Sequence, residues 1–315
     1  METVQLGKDG PLVTPICFGC WSMGGAWRYG WADIDDEESV AAVHRALDLG
    51  INFFDNAAVY GLGHAEEVLA EALGNKRKEV VIATKCGVWW YDDERGFYGD
   101  SLPARIKEEC EDSLRRLRTD YIDLYQIHWP DEKVPCDESM RALLDLVEEG
   151  KVQYVGVCNY SVDQMRESMK AGRFTSSQPP YNMLRCDAEA EILPFCQENG
   201  IGVMAYSPLA SGILAGYYTE ATTLGEGDWR NEDPDFQGDR FRSHLRKVDQ
   251  LRPITEKYGK TMTQLAIAWV LRHPAVNVAV VGMKRPAHVE GAIGAIGWEI
   301  DDEDVARIDE ILASS

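Results

Sequence analysis

The chain has no surplus of positive charge and no long apolar run. Its 315 residues carry 32 basic and 53 acidic side chains, which gives a net charge of −21. Nucleic acids and anionic membranes attract clustered cations, so this balance argues against both as partners. No apolar stretch reaches the roughly 18 residues that a membrane-spanning helix requires. The chain is nevertheless 45% hydrophobic, which is ample for a sizeable core.

Several motifs are also missing. Residues 1–5 lack the basic and apolar regions of a signal peptide, so we expect a cytoplasmic protein with reduced thiols. No G-x-G-x-x-G follows a predicted strand and no Walker motif occurs, which disfavours a Rossmann domain. Cys17 and Cys20 have the spacing of a redox or metal pair. No second pair accompanies them, so a place in the core of the barrel predicted below is favoured.

What the chain does contain is a regular alternation of apolar runs and helical patterns. Strands are predicted at residues 15–19, 51–54, 80–84, 121–127, 152–157, 176–178, 201–205 and 276–281. The pattern fits parallel strands with helical crossovers, and eight such units fit a closed (β/α)₈ TIM barrel better than an open sheet. A β-hairpin precedes the barrel, extra helices follow it, and we expect one domain over residues 1–315. Residues 217–245 are predicted to form a long polar loop.

Polar side chains end nearly every predicted strand. They are Asp55, Lys85, His128, Asn159, Gln178 and Tyr206. The active site of such a barrel is drawn from the C-terminal ends of several strands, so these groups are predicted to meet at one face.

Four residues of this region form a proton-handling set. A phenol has a pKa of about 10, and the Lys85 ammonium beside Tyr60 would stabilise the phenolate and lower that pKa. Asp55 would keep the ammonium charged, and His128 would orient a substrate oxygen. The set suits reduction of a carbonyl, with Tyr60 donating the proton.

A cofactor is implied because no side chain supplies hydride. Tyr206 offers a flat face for a nicotinamide, and Asn159 and Gln178 could bind its carboxamide. Structural interpretations stay open residue by residue: Lys85 could be a buried partner of Asp55, and His128 a core histidine. A metal-dependent hydrolase is disfavoured, because His128 is the only histidine at an obvious predicted strand end.

The sequence resembles the aldo-keto reductase family along essentially its whole length. The resemblance is carried by Asp55-x₄-Tyr60-Gly61, by Ala83-Thr84-Lys85, by residues 120–128 ending on His128, by residues 156–160, and by Tyr206-Ser207-Pro208-Leu209. It implies a barrel that binds NADP(H), with Tyr60 as general acid/base and Asp55, Lys85 and His128 as its partners. Residues 227–248 are similar to a bacterial branch associated with inositol and sugar metabolism.

The resemblance also implies the cofactor contacts. Besides Trp21, Asp55, Asn159, Gln178 and Tyr206, they are Ser207, Leu209, Ala210, Ser211, Gly212, Arg230, Gly282, Met283, Lys284, Arg285 and His288. The adjacent cations Lys284 and Arg285 suit a 2′-phosphate. Cys158, Tyr217, His288 and Ala292 depart from residues common in the family, so NAD(H) is an open alternative.

We therefore predict an NADP(H)-dependent oxidoreductase that acts on a sugar, a polyol or a related aldehyde. Trp27, Trp31, Trp90 and Trp129 are candidate substrate contacts, although such aromatics could equally pack together. The alternative is a cofactor-sensing regulatory subunit built on the same barrel.

Overall fold

Eight parallel strands close into a barrel within the part of the chain that the computed structural model describes, residues 1–27, 29–31, 34–91 and 96–314. The strands in chain order are β1 (Val4–Gln5), β2 (Leu12–Val13), β3 (Ile16–Gly19), β4 (Phe53–Asp55), β5 (Val81–Cys86), β6 (Val88–Trp90), β7 (Phe97–Gly99), β8 (Ile122–Ile127), β9 (Val152–Cys158), β10 (Ser176–Gln178), β11 (Gly202–Tyr206) and β12 (Val276–Gly282). The barrel order is β3-β4-β5-β8-β9-β10-β11-β12, and β12 pairs with β3. The predicted (β/α)₈ barrel is confirmed.

Helices surround this barrel. They are α1 (Asp36–Asp48), α2 (His64–Leu73), α3 (Pro103–Arg116), α4 (Cys136–Glu148), α5 (Val162–Ser168), α6 (Ile192–Asn199), α7 (Gly238–Tyr258), α8 (Met262–Leu271), α9 (Pro286–Ile293) and α10 (Asp302–Ala313). Each helix of the described chain is too short or too polar to cross a lipid bilayer.

Two elements differ from the sequence prediction. The loop expected at 217–245 ends earlier, because α7 begins at Gly238 and buries His244, Leu245 and Val248 along one face. The second is the antiparallel pair β6 and β7, which was not predicted. Both strands are rich in aromatic residues, and β6 begins two residues after β5.

The barrel interior is filled below the polar site. Cys17, Phe53, Ala83, Leu124 and Met204 belong to one buried apolar cluster with two residues of β12. The hairpin β1–β2 adds side chains to the same cluster, so it covers the N-terminal end of the barrel. Both thiols of the Cys17–Cys20 pair are free and fully buried, as a core position requires.

A close backbone approach fixes the turn that carries Tyr60. Gly61 has a φ of 61°, and a Cβ atom there would lie 2.2 Å from the carbonyl oxygen of Gly24. A side chain at Gly61 would therefore push the turn at Trp21–Gly24 away from the turn at Tyr60–Gly63. The pair of glycines brings the loops after β3 and β4 together.

A buried ion pair supports β5 from outside the barrel. Glu66 of α2 is fully buried; its Oε1 atom accepts a hydrogen bond from Thr84 at 2.6 Å, and its Oε2 atom accepts one from Arg116 at 2.6 Å. Thr84 immediately precedes Lys85, so this network anchors the strand that carries the lysine.

We expect Arg116→Ala to lower the free energy of unfolding by about 3–5 kcal/mol, because it leaves the Glu66 carboxylate buried without its cation. Urea unfolding followed by circular dichroism measures the change. Arg115→Ala is the matched control, since the Arg115 side chain is 71% exposed and pairs with Asp112 at the surface. Equal losses in the two variants would contradict the role given to Glu66.

Candidate active site

A cavity of about 570 Å³ opens at the C-terminal ends of the barrel strands. Asp55, Gln178 and Tyr206 are the last residues of β4, β10 and β11, while His128 and Asn159 directly follow β8 and β9. All five line the cavity. Because parallel strands end at one face of a barrel, residues far apart in sequence meet here, as predicted.

Lys85 is buried beside this cavity, and its ammonium group has three acceptors. The Nζ atom lies 2.7 Å from Asp55 Oδ2, 2.7 Å from the carbonyl oxygen of Asn56 and 3.3 Å from the Tyr60 hydroxyl oxygen. An ammonium group has three N–H donors, so these contacts account for all of them.

The Tyr60 hydroxyl is held as an acceptor. Since Lys85 donates to it, the hydroxyl proton must point elsewhere, and no acceptor for that proton is found among the described residues. The Tyr60 ring meets the His128 ring edge-on, with centroids 5.8 Å apart. Both residues line the cavity, so the proton is available to a bound molecule.

The pKa of Tyr60 differs from the sequence prediction. Burial raises this pKa more than the Lys85 ammonium lowers it, and the nearby Asp55 carboxylate raises it further. The net pKa is above the ordinary value of about 10. The predicted lowering is therefore wrong, although the contribution of Lys85 has the predicted sign.

The pKa values of Lys85 and His128 are shifted in opposite directions. Burial lowers the pKa of Lys85, but Asp55 and Tyr60 together outweigh it, so that the pKa is raised and the ammonium stays charged. Burial, with a smaller contribution from Lys85, holds the pKa of His128 well below its ordinary range. The imidazole is therefore neutral at pH 7.

A second layer of hydrogen bonds orients these groups. Gln178 Nε2 donates to Asp55 Oδ1 at 2.8 Å. Asn159 Nδ2 donates to the carbonyl oxygen of His128 at 3.0 Å, and Asn159 Oδ1 accepts from the Tyr206 hydroxyl at 2.8 Å. Both amides predicted to bind a carboxamide are thus engaged by the protein, and the Tyr206 ring is fixed in the cavity wall.

Most predicted cofactor contacts line the same cavity. They are Asp55, Asn159, Gln178 and Tyr206, together with Trp21, Ser207, Leu209, Ser211, Gly212, Arg230, Gly282, Lys284 and His288. Ser207, Ala210 and Ser211 have positive φ angles of 56°, 46° and 54°. This curved backbone directly follows β11, whose last residue, Tyr206, also lines the cavity.

Two cations face the cavity, and both contact Trp31. The Arg230 guanidinium lies 4.4 Å and the Lys284 ammonium 3.4 Å from the centre of the Trp31 ring. Arg230 also donates to both carboxylate oxygens of Asp228, at 2.9 and 2.5 Å. Cations stand out in so acidic a chain, and their place here fits an anionic ligand.

Four predicted contacts do not line the cavity. Ala210 lies in the turn after β11, and Met283 is fully buried. Trp90 stacks on Trp89 with centroids 4.3 Å apart. Arg285 points to α1, where its Nε atom donates to Glu38 at 2.9 Å.

The predicted aromatic substrate contacts Trp27, Trp31 and Trp129 do line the cavity. Sequence reasoning did not assign Phe97 or the small apolar residues Val59 and Val88, which line it too. Phe97 contacts Tyr29, with ring centroids 5.1 Å apart. The aromatic content of β6 and β7 was the signal that could have pointed to this segment.

A further group of lining residues lies beyond the strand ends. Thr261 and Thr263 come from the start of α8, and Ala287 and Gly291 from α9. Nothing in their residue types pointed to a site. Thr261 has a structural task as well, because its hydroxyl accepts the N-cap hydrogen bond from the backbone of Gln264.

Comparison with known proteins agrees with this geometry. The model of the Aldo/keto reductase family matches residues 15–313. The chain belongs to this aldo-keto reductase family. The sequence resemblance is therefore confirmed at the level of the family, and the enzyme is an oxidoreductase that acts on carbonyl or alcohol groups.

Relatives of this aldo-keto reductase span nearly its full length. It is 36% identical over 318 residues to the aldo-keto reductase YhdN of Bacillus subtilis (strain 168), covering 100% of this chain and 95% of that protein. An NADH-specific methylglyoxal reductase of Escherichia coli (strain K12) is 31% identical, with 99% and 98% covered. The structure of the glycerol dehydrogenase AKR11B4 from Gluconobacter oxydans superposes with a TM-score of 0.90, at 39% identity and 99% and 95% coverage.

The lowered pKa of His128 gives a direct prediction for this aldo-keto reductase. We expect its imidazole to stay neutral at pH 6, below the ordinary histidine pKa of about 6.5, because burial and Lys85 both disfavour the charged form. Long-range ¹H–¹⁵N NMR spectra report the protonation state, and the His128→Asn variant identifies the signal. A His128 resonance that titrates at or above pH 6.5 would refute this.

Proposed function

We propose that the protein is an NADP(H)-dependent reductase in which Tyr60 is the general acid/base. The observation that carries this proposal is the contact of the Lys85 ammonium with both the Asp55 carboxylate and the Tyr60 hydroxyl. A nicotinamide cofactor, as aldo-keto reductases use, supplies the hydride when bound. The residues of the chain bind the cofactor and the substrate, orient the substrate oxygen and exchange the proton with it.

Tyr60 suits the role of proton donor. Its phenol stays protonated at neutral pH, and its proton has no acceptor among the described protein groups. When the proton leaves, negative charge appears on the oxygen that Lys85 already contacts. The neutral His128 imidazole beside the ring donates a hydrogen bond to the same substrate oxygen without adding a charge.

Asp55 acts through Lys85. Its two oxygens accept from Lys85 and Gln178, so the carboxylate is fixed and the ammonium is held toward Tyr60. This arrangement resembles other sites in which a pre-oriented charge stabilises developing negative charge.

The choice of NADP(H) rests on the cations at the cavity. Arg230 and Lys284 both line it and suit a dinucleotide with an additional phosphate. The NADH-specific relative in Escherichia coli makes NAD(H) the competing choice. The predicted NADP(H) contacts that lie outside the cavity, Arg285 above all, weaken strict selection for the 2′-phosphate.

The proposed substrate is a sugar, a polyol or a related small aldehyde. Trp27, Trp31 and Trp129 line the cavity and offer apolar faces on which a sugar can stack. The methylglyoxal reductase and the glycerol dehydrogenase act on small oxygenated molecules of this kind.

We propose further that residues 1–315 act as one domain, that the chain is cytoplasmic and that it falls in the inositol and sugar branch. The regulatory-subunit alternative is not favoured, because the family whose model matches residues 15–313 is that of the aldo-keto reductases.

We expect Tyr60→Phe to lower kcat in the reductive direction by about 100-fold or more, since general acid catalysis contributes about that much. The dissociation constant for NADPH, measured by isothermal titration calorimetry, should stay within about twofold because only the hydroxyl is removed. Tyr154→Phe is the matched control: Tyr154 lies on β9 and does not line the cavity. Wild-type turnover in the Tyr60 variant would remove Tyr60 from the reaction.

A panel of sugars, polyols and aldehydes, run in both directions with each cofactor, tests cofactor and substrate together. We expect the largest kcat/KM with NADPH and a small hydroxylated carbonyl compound. A preference for NADH would overturn the cofactor choice alone. Turnover limited to large apolar aldehydes would overturn the substrate class.

A further inference from the structure

The Arg285 side chain lies outside the cavity and forms an ion pair with Glu38. Its Nε atom donates to Glu38 Oε2 at 2.9 Å, and Glu38 lies in the first turn of α1. Arg285 itself is the N-cap residue of α9, directly after Lys284. The Lys284 side chain lines the cavity and the Arg285 side chain does not, so the two adjacent cations point to different partners.

The remaining cationic groups near Lys284 cannot replace Arg285. Arg230 is bound by both oxygens of Asp228. His288 lines the cavity, but burial and the charges of Lys284 and Arg285 lower its pKa, so it is neutral at pH 7. Release of Arg285 would therefore add a cationic donor that neither Arg230 nor His288 supplies.

The Glu38–Arg285 pair is exposed enough to be displaced. The two side chains are 46% and 55% exposed, and a surface pair of this kind shifts an equilibrium by no more than about fivefold. A second pair, Arg45 with Glu290 at 2.9 Å, joins the same two helices with similar exposure. The helices therefore keep a link when Glu38 is neutralised.

We propose that Glu38 sets cofactor selectivity by holding Arg285 away from the 2′-phosphate, so that the enzyme accepts NAD(H) as well as NADP(H). The inference rests on the proposed function. A ligand without the 2′-phosphate gains nothing from Arg285, whereas NADP(H) must compete with Glu38 for it. Neutralising Glu38 frees the guanidinium for bidentate phosphate contact.

Isothermal titration calorimetry of the full chain with NADP⁺ and NAD⁺ tests this. We expect Glu38→Gln to tighten NADP⁺ binding by about three- to fivefold and to change NAD⁺ binding by less than about twofold. Glu290→Gln, which removes the same charge from the neighbouring pair, should change neither.

Glu38 could also weaken NADP⁺ binding directly, because its negative charge repels the phosphate. The Arg285→Ala background separates this repulsion from the effect of the Glu38–Arg285 ion pair. There Glu38→Gln should change NADP⁺ binding by less than about twofold, because no guanidinium remains to be released. Three results would overturn the proposal. NADP⁺ binding could tighten equally in the Arg285→Ala background, it could tighten equally in Glu290→Gln, or it could stay unchanged in the Glu38→Gln single variant. A wild-type chain that binds neither cofactor would reject the proposed function itself.

Discussion

The buried ammonium of Lys85 is the charge on which the rest of the site depends. A charge taken out of water is costly unless it is paired and hydrogen-bonded, and here three acceptors surround it. The barrel register makes this possible: Asp55 pairs with Ala83 across β4 and β5, so the inward side chain two residues further along β5 reaches past Asp55 to the loop that carries Tyr60. On the outer face, Thr84 is tied to Glu66 and Arg116, so that the strand is held from both sides.

A chain with a large negative charge repels an anionic ligand, but the residues that line the cavity reduce this repulsion locally. The chain carries 53 acids, yet among the described lining residues Asp55 is the sole acidic one, and Lys85 neutralises it. Arg230 and Lys284 face the cavity and lie against the Trp31 ring. Other acids, such as Asp36 and Glu37 of α1, are exposed on the outer helices, where water and counterions screen them. The cavity is therefore less negative than the molecule around it.

Much of the fold and of the site could be predicted because both follow local patterns. Apolar runs ending on Asp55, Lys85 or His128 indicate strands and the face at which they end. Most of the predictions that failed concern features that depend on contacts between distant segments. The pKa of Tyr60 is set by burial, which no spacing reveals. Arg285 pairs with a residue 247 positions away, so its direction was hidden. The hairpin β6–β7 was missed because each strand is three residues long, too short for a period to emerge.

The raised pKa of Tyr60 is compatible with a proton-donating role once the free enzyme and the reaction are considered separately. Before reaction, burial and Asp55 disfavour the phenolate, so Tyr60 keeps its proton through the neutral range. As a substrate oxygen takes that proton, charge forms on the hydroxyl oxygen, 3.3 Å from an ammonium that Asp55 and Asn56 have already oriented. No reorganisation of solvent is needed at that moment, which is what makes a pre-oriented charge effective. In the proposed reaction Lys85 therefore contributes when the proton moves, and it does not have to ionise Tyr60 beforehand.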